Sequence, residues 1–208
     1  MKVLVVYHSV YGHILKMAQT VEEGVKSVNG VEAVFRRVQD WEDAEKGIFT
    51  NDYAKKVWQQ QKDTPICTLE DLKEADGIIF GTPTRYGNMT AQMKRLIDST
   101  VKLWLAGDME GKPAGVFTST STTHGGQETT LLTMMVPLIH LGMIIIGVPY
   151  STPGLLHTEG RGGTPYGPST LAGSKNELLP TPEDLSIATA FGKKVAEITK
   201  KLRKDIII

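Results

Sequence analysis

One cysteine, Cys67, stands among 208 residues. A single thiol excludes a disulfide framework and any Cys-rich zinc or iron–sulfur site. Net charge is also missing, because 23 Lys and Arg balance 23 Asp and Glu. A nucleic-acid-binding chain would carry a basic excess, and a strongly acidic electron carrier is excluded by the same balance. A neutral chain has little self-repulsion to oppose association. Long hydrophobic runs are absent. The longest, Met143–Val148, falls far short of the roughly 20 residues of a membrane span, so no membrane span is expected. Val3–Tyr7 is too short for the apolar stretch of a secretion signal, which leaves the cytoplasm as the expected location. Three nucleotide or nucleophile motifs are missing too. No G-x-G-x-x-G follows the first apolar run, Gly107 and Gly111-Lys112 lack Walker A spacing, and no G-x-S-x-G occurs. His8, His13, His124, His140 and His157 show no metal-ligand spacing, so no metal is expected.

What is present is alternation. Val3–Tyr7, Val31–Val38, Gly77–Gly81, Ala114–Thr118 and Met143–Val148 read as strands. Most are apolar throughout, as strands buried on both faces are. Between them, Ile14, Ala18, Val21 and Val25 recur at helical spacing, as do Leu185, Ala188, Phe191, Val195, Ile198 and Leu202. Ala91–Trp104 and Glu128–Leu141 also read as helices, the latter containing Pro137, and Thr68 with Asp71 reads as a cap for a short one. This pattern predicts a single α/β domain over 1–208, with a doubly wound parallel sheet and helices on both faces. Five strands fit the order 2-1-3-4-5. Two segments follow neither period: the polar stretch 40–65, and the Gly-, Pro-, Ser- and Thr-rich stretch 149–182.

In open α/β sheets, ligands bind beyond the carboxyl ends of the strands. Three loops leave such ends. Ser9, Val10, Tyr11, Gly12, His13 and Ile14 join a buried strand to a helix N-terminus, where free N–H groups and partial positive charge suit a phosphate. Ser9 could equally be an ordinary helix cap. Pro83, Thr84, Arg85, Tyr86 and Gly87 set a hydroxyl, a planar cation and an aromatic ring side by side, a set able to line a flat heteroaromatic ligand. The alternative is a surface loop with a solvated Arg. Ser119, Thr120, Ser121, Thr122 and Thr123, followed by His124, form a wall of donors and acceptors, or else a plain polar loop. Cys67 reads as a packing residue.

The strings KVLVVYHSVYGHI (2–14), GIIFGTPTRYGNM (77–89), TSTSTTHGGQET (118–129) and RGGTPYG (161–167) carry a specific resemblance. Together they resemble the WrbA-type, flavodoxin-like NAD(P)H:quinone oxidoreductases, from residue 2 to about residue 203. The resemblance implies an FMN-dependent enzyme that reduces quinones by two electrons, with NADH or NADPH as donor, in a ping-pong reaction. It implies that residues 9–14 cradle the FMN phosphate, that Thr84, Arg85 and Tyr86 pack on the isoalloxazine and ribityl, and that 119–124 form the third wall. It further implies that Tyr11 meets the nicotinamide nucleotide and Trp104 the quinone. His140 would reach the FMN from a neighbouring subunit of a homotetramer. The segment 40–65 and the loop 149–177 resemble the family's additions to the flavodoxin core. Two departures stand out. Thr122-Thr123-His124 replaces a more glycine-rich stretch, and Tyr11 and Ile14 replace hydroxyls of short flavodoxins, so backbone N–H groups must make up the lost donors. The competing readings are a flavodoxin-type one-electron carrier and a non-catalytic regulatory module. The neutral balance disfavours the first, and the end of the first strand, Tyr7-His8-Ser9, lacks the acidic residues a receiver-type module needs.

Overall fold

A computed structural model of the chain describes residues 1–41, 46–47, 50–156, 158 and 161–205. His157 and Ile206–Ile208 lie outside the described residues, as do parts of the segments 40–65 and 149–177. Strand β1 (Lys2–Tyr7) leads into α1 (His13–Lys26), then β2 (Glu32–Arg37), α2 (Asp52–Gln61), α3 (Leu69–Glu74) and β3 (Gly77–Pro83). Next come α4 (Ala91–Asp98), α5 (Val101–Leu105), β4 (Pro113–Thr120) and α6 (Gln127–His140). The chain closes with β5 (Ile144–Ile145), β6 (Ser169–Leu171) and α7 (Pro182–Asp205). The sheet is parallel, in the order β2-β1-β3-β4-β5, with β6 also paired to β4.

The central strands are apolar because both faces are covered. Val3, Val5, Tyr7, Ile79 and Phe117 face a core closed by α1 and α7. Leu4, Val6, Ile78, Phe80, Ala114 and Val116 face a second core with Met93, Leu131, Met134 and Leu138. Among the described residues, no helix is long and apolar enough to cross a membrane. Cys67 is buried and unpaired, and burial pushes its thiol up to about 12, with Asp71 adding to the rise. Burial and the raised pKa mark it as a packing residue whose thiolate is disfavoured.

Three local expectations need correction. The run Met143–Val148 forms a strand only at Ile144–Ile145, against Pro113 and Ala114. The carboxyl half of β4 pairs instead with Ser169–Leu171, through Thr118, Ser119 and Thr120. The fifth place in the sheet is thus shared by two distant pieces, and the chain between them leaves and returns. Ala91–Trp104 is not one helix. Ser99 and Thr100 hydroxyls donate back to Leu96 and Ile97 carbonyls, and Thr100 leaves helical geometry at ψ 6. The polar segment 40–65 contains α2, capped where Asn51 accepts from the Ala54 N–H. By contrast, α3 begins with the anticipated Thr68–Asp71 capping box, and Pro137 sits inside the last turn of α6 without ending it.

Candidate functional site

The three loops meet in one cleft of about 160 Å³ at the carboxyl edge of the sheet. Ser9, Val10, Tyr11, His13 and Ile14 line it from the first loop, Pro83, Thr84 and Arg85 from the second, and Ser119, Thr120 and Ser121 from the third. Two residues outside the anticipated set, Ala172 and Asn176, complete the lining.

The first loop ends at an open helix terminus. Gly12 is the N-cap of α1 at φ 86 and has no side chain with which to cap the helix. A residue with a Cβ would be strained at that φ, and its Cβ would also press on Val57 of α2. The Ser9 hydroxyl accepts from the Leu15 N–H at 3.2 Å, so Ser9 supports the first turn and keeps its own O–H to donate. The segment 40–65 buttresses this loop from behind, because Gln61 Nε2 donates to the Ser9 carbonyl at 2.8 Å. Beside Ser9, buried His8 donates through Nε2 to Asp40 at 3.1 Å, and Gln92 donates to the same oxygen at 2.7 Å. Burial alone would raise the Asp40 carboxyl, yet His8, Gln92 and Arg37 together hold it below the ordinary carboxylate range. The ends of β1 and β2 and the first turn of α4 are pinned through this one carboxylate.

The second loop is a tight turn in which Arg85 and Asn88 exchange backbone hydrogen bonds of 2.7 and 3.0 Å. Tyr86 and Gly87 occupy its centre at φ 54 and 75. Positive φ at both centres is the geometry of a type I′ turn, and a bulky residue there is strained. Tyr86 is fully exposed beside the cleft-lining Arg85 (105%). The Thr84 hydroxyl, which accepts from Thr130 at 2.8 Å and from the Gly87 N–H at 3.1 Å, fixes the turn to α6.

The third loop closes on itself: the Thr120 hydroxyl donates to the Thr122 carbonyl at 2.8 Å, and the Gly125 N–H donates there at 2.9 Å. Thr122, Thr123 and His124 are exposed, and like Gly12, Tyr86 and Gly87 they are not part of the cleft lining. The helix after this loop, α6, also starts at a left-handed glycine, Gly126, with no side-chain cap.

His13 faces the cleft, but its ring is spoken for. Its Nε2–H donates to the Leu178 carbonyl at 2.8 Å, and burial draws its pKa below the ordinary 6.5, partly offset by that bond. A histidine whose folded pKa is depressed costs stability when the unfolded chain protonates first. Its contribution is complete above about pH 6.5 and is lost as pH falls from there through the depressed folded value. We expect Tm to fall on acidification below pH 6.5, and His13→Gln to flatten that part of the profile; an unchanged profile would count against the burial of the His13 ring.

His140 and Trp104 stand elsewhere. Both line an apolar groove of about 480 Å³ between α4, α5 and α6, with Met89, Ile97, Val101 and Val136. Trp104, Val101, Leu105, Val136 and Ile139 are exposed. The Arg85–Asn88 turn divides the two concavities, with Arg85 on the cleft and Asn88 on the groove. Among the described residues, no cluster of three or more His, Cys, Asp or Glu is placed to hold a metal.

Fold and cleft define a flavodoxin-like α/β protein with a concave cleft at the carboxyl edge of the sheet. A family model described as NADPH-dependent FMN reductase matches residues 1–154. An NAD(P)H dehydrogenase (quinone) of Syntrophobacter fumaroxidans is 47% identical over 206 residues, covering 99% of this chain and 100% of the relative. One of Geobacter sulfurreducens is 48% identical over 203 residues, covering 97% and 99%. Among solved structures, a flavodoxin-type WrbA-like protein from Agrobacterium tumefaciens superposes with a TM-score of 0.65 at 25% identity, over 96% of this chain and 98% of that one. A flavodoxin from the domain Archaea, at 21% identity and a TM-score of 0.60 over 96% and 99%, shares the fold. The chain belongs to the WrbA-type, flavodoxin-like NAD(P)H:quinone oxidoreductase family.

Proposed function

We propose that this chain is an FMN-dependent NAD(P)H:quinone oxidoreductase that delivers two electrons to a quinone and acts as a homotetramer. The observation that carries the reading is the single cleft in which three hydroxyl-rich or donor-bearing loops meet. The start of α1, where Gly12 supplies no side-chain cap and Ser9 keeps its O–H to donate, suits a phosphate monoester. Val10, Tyr11, Gly12, His13 and Ile14 supply the turn that brings backbone N–H groups to it. Pro83, Thr84, Arg85, Tyr86 and Gly87 would hold one side of a flavin, and Ser119–His124 the other. Bound FMN supplies the hydride and electron chemistry, and the protein supplies position and electrostatics.

The enclosed volume of about 160 Å³ is roughly half that of the smallest pockets that enclose a drug-sized ligand. It suits the phosphoribityl end, and leaves the ring system at the rim. There Tyr86 is fully exposed and Tyr11 half-buried, two flat faces suited to a flat substrate. Arg85 faces the same opening and can stabilise negative charge developing on the ring edge. The site of one chain is open on this side. A neighbour's His140 would close it in the tetramer, and Trp104 would line the quinone's place. The unpartnered apolar groove that holds both residues supports that assembly. NAD(P)H and quinone would use the same opening in turn, which predicts ping-pong kinetics.

Anaerobic stopped-flow absorbance of the FMN-loaded protein tests the reading. The expected result is rapid bleaching of the flavin band by NADH or NADPH, then full recovery with benzoquinone. FMN that binds but is bleached by neither nucleotide would move the protein to the carrier class.

A further inference from the structure

The strap from Ala172 to Leu178 brings a residue to the cleft that no sequence motif marks. The chain leaves β6, turns at Gly173, and closes where the Leu178 N–H donates to the Ala172 carbonyl at 2.9 Å. His13 then fastens the strap to the first turn of α1 through the Leu178 carbonyl. Within the strap, Asn176 takes the left-handed conformation at φ 60. Asparagine is one of the few side-chain-bearing residues that adopts it readily. Asn176 lines the cleft together with Ser9, Tyr11 and Ile14. Its backbone N–H donates to Gly173, while its carboxamide makes no hydrogen bond among the described residues. A half-buried amide with two N–H donors that take no partner among the described residues therefore lines the same cleft as the residues at the start of α1. Among the described residues, Arg85 is the only Lys or Arg in the lining, and it comes from a different loop. Neutral donors must satisfy most of a phosphate's oxygens here.

Resting on the flavin reading above, we propose that Asn176 is a cofactor-binding residue whose side-chain amide donates to the phosphate of FMN. The strap makes this contact possible only in the folded chain, because His13 and Leu178 are 165 residues apart.

The test compares FMN with riboflavin, which lacks the phosphate. Apo-protein is titrated with each flavin, and quenching of flavin fluorescence gives the Kd. Asn176→Gly keeps the left-handed backbone and removes only the side chain. It should weaken FMN about tenfold, the worth of one hydrogen bond to a charged group, and leave riboflavin binding unchanged. Asn176→Asp should weaken FMN further, since a carboxylate would face the phosphate, again without effect on riboflavin. Equal weakening of both flavins would make Asn176 a mere scaffold of the strap and overturn the proposal, as would no change in either. A wild-type chain that binds neither flavin would overturn the functional reading beneath it, and one that binds riboflavin as tightly as FMN would remove the phosphate site.

Discussion

Replacing Gly24 by valine is expected to leave the chain barely folded, with Tm lowered by about 10 °C or more. Gly24 lies on α1 where that helix crosses α7, and a Cβ there would fall on the Thr189 carbonyl and close to the Lys193 nitrogen. The same crossing is tight from the other side, where Gly192 sits on the Val21 carbonyl. Two backbones cannot yield as a flexible side chain can. The helices would have to separate, opening the core of Val21, Ile187, Ala188 and Phe191. Ordinary overpacking costs about 1–3 kcal/mol, and a backbone clash that uncovers a core exceeds that. Against a total stability of about 5–15 kcal/mol, with about 2–4 °C of Tm per kcal/mol at this length, the loss is large. Thermal unfolding followed by circular dichroism reads it. Gly47→Ala, at a position with nothing among the described residues within 4 Å of an added Cβ, is the control and should be neutral. A Gly24→Val protein that melts with the wild type would refute the close crossing.

Asp184→Ala should be nearly as damaging, by a different route. Asp184 is buried (1% exposed), yet its carboxylate accepts from the Gly162 N–H at 2.7 Å, the Thr170 hydroxyl at 2.7 Å and the Thr181 N–H at 3.0 Å. Its own N–H donates to the Thr181 hydroxyl at 3.1 Å, so it also completes the cap of α7. Alanine would orphan three donors in the interior, a cost of about 3–5 kcal/mol. It would also release the point where the long loop rejoins the sheet at β6, just before the strap that reaches the cleft. We expect Tm to drop by about 10 °C and FMN affinity to weaken in the same variant. Asp184→Asn retains one acceptor oxygen and should fall between the two. Full wild-type stability in Asp184→Ala would show that water replaces the carboxylate and that the anchor is not needed.

The elements legible in the sequence were those whose surroundings are uniform. Val3–Tyr7, Gly77–Gly81 and Ala114–Thr118 read as strands because each is covered on both faces. Helix α1 was legible because its buried face recurs at helical spacing. The site loops were visible as hydroxyl, glycine and aromatic clusters at strand ends, and eleven of the positions that line the cleft come from the 9–14, 83–87 and 119–124 sets. Less visible was α2. Its buried residues Ala54, Val57 and Gln61 are spaced for a helix, but the surrounding composition is polar, and only the Asn51 cap marks its start.

What the amino-acid order determined by itself was local: where the backbone is apolar enough to be buried, where it turns, and which polar groups crowd at the ends of strands. Those preferences act over a few residues and need no partner. The tertiary structure decided whatever depends on a distant one. Met143–Val148 is apolar enough for a full strand, but Ser169–Leu171 occupies the rest of that edge of β4. His13 lines the cleft, and only the packed chain gives its ring N–H the Leu178 carbonyl as partner. Asn176 looks like a loop asparagine until the strap brings it into the cleft lined by Ser9 and Ile14. Trp104 and His140, far from the cleft in sequence terms alike, are gathered into one groove by the packing of α5 against α6. A backbone donor or an open strand edge has no preference written in nearby residues. Its partner is whichever group the packed chain brings within reach.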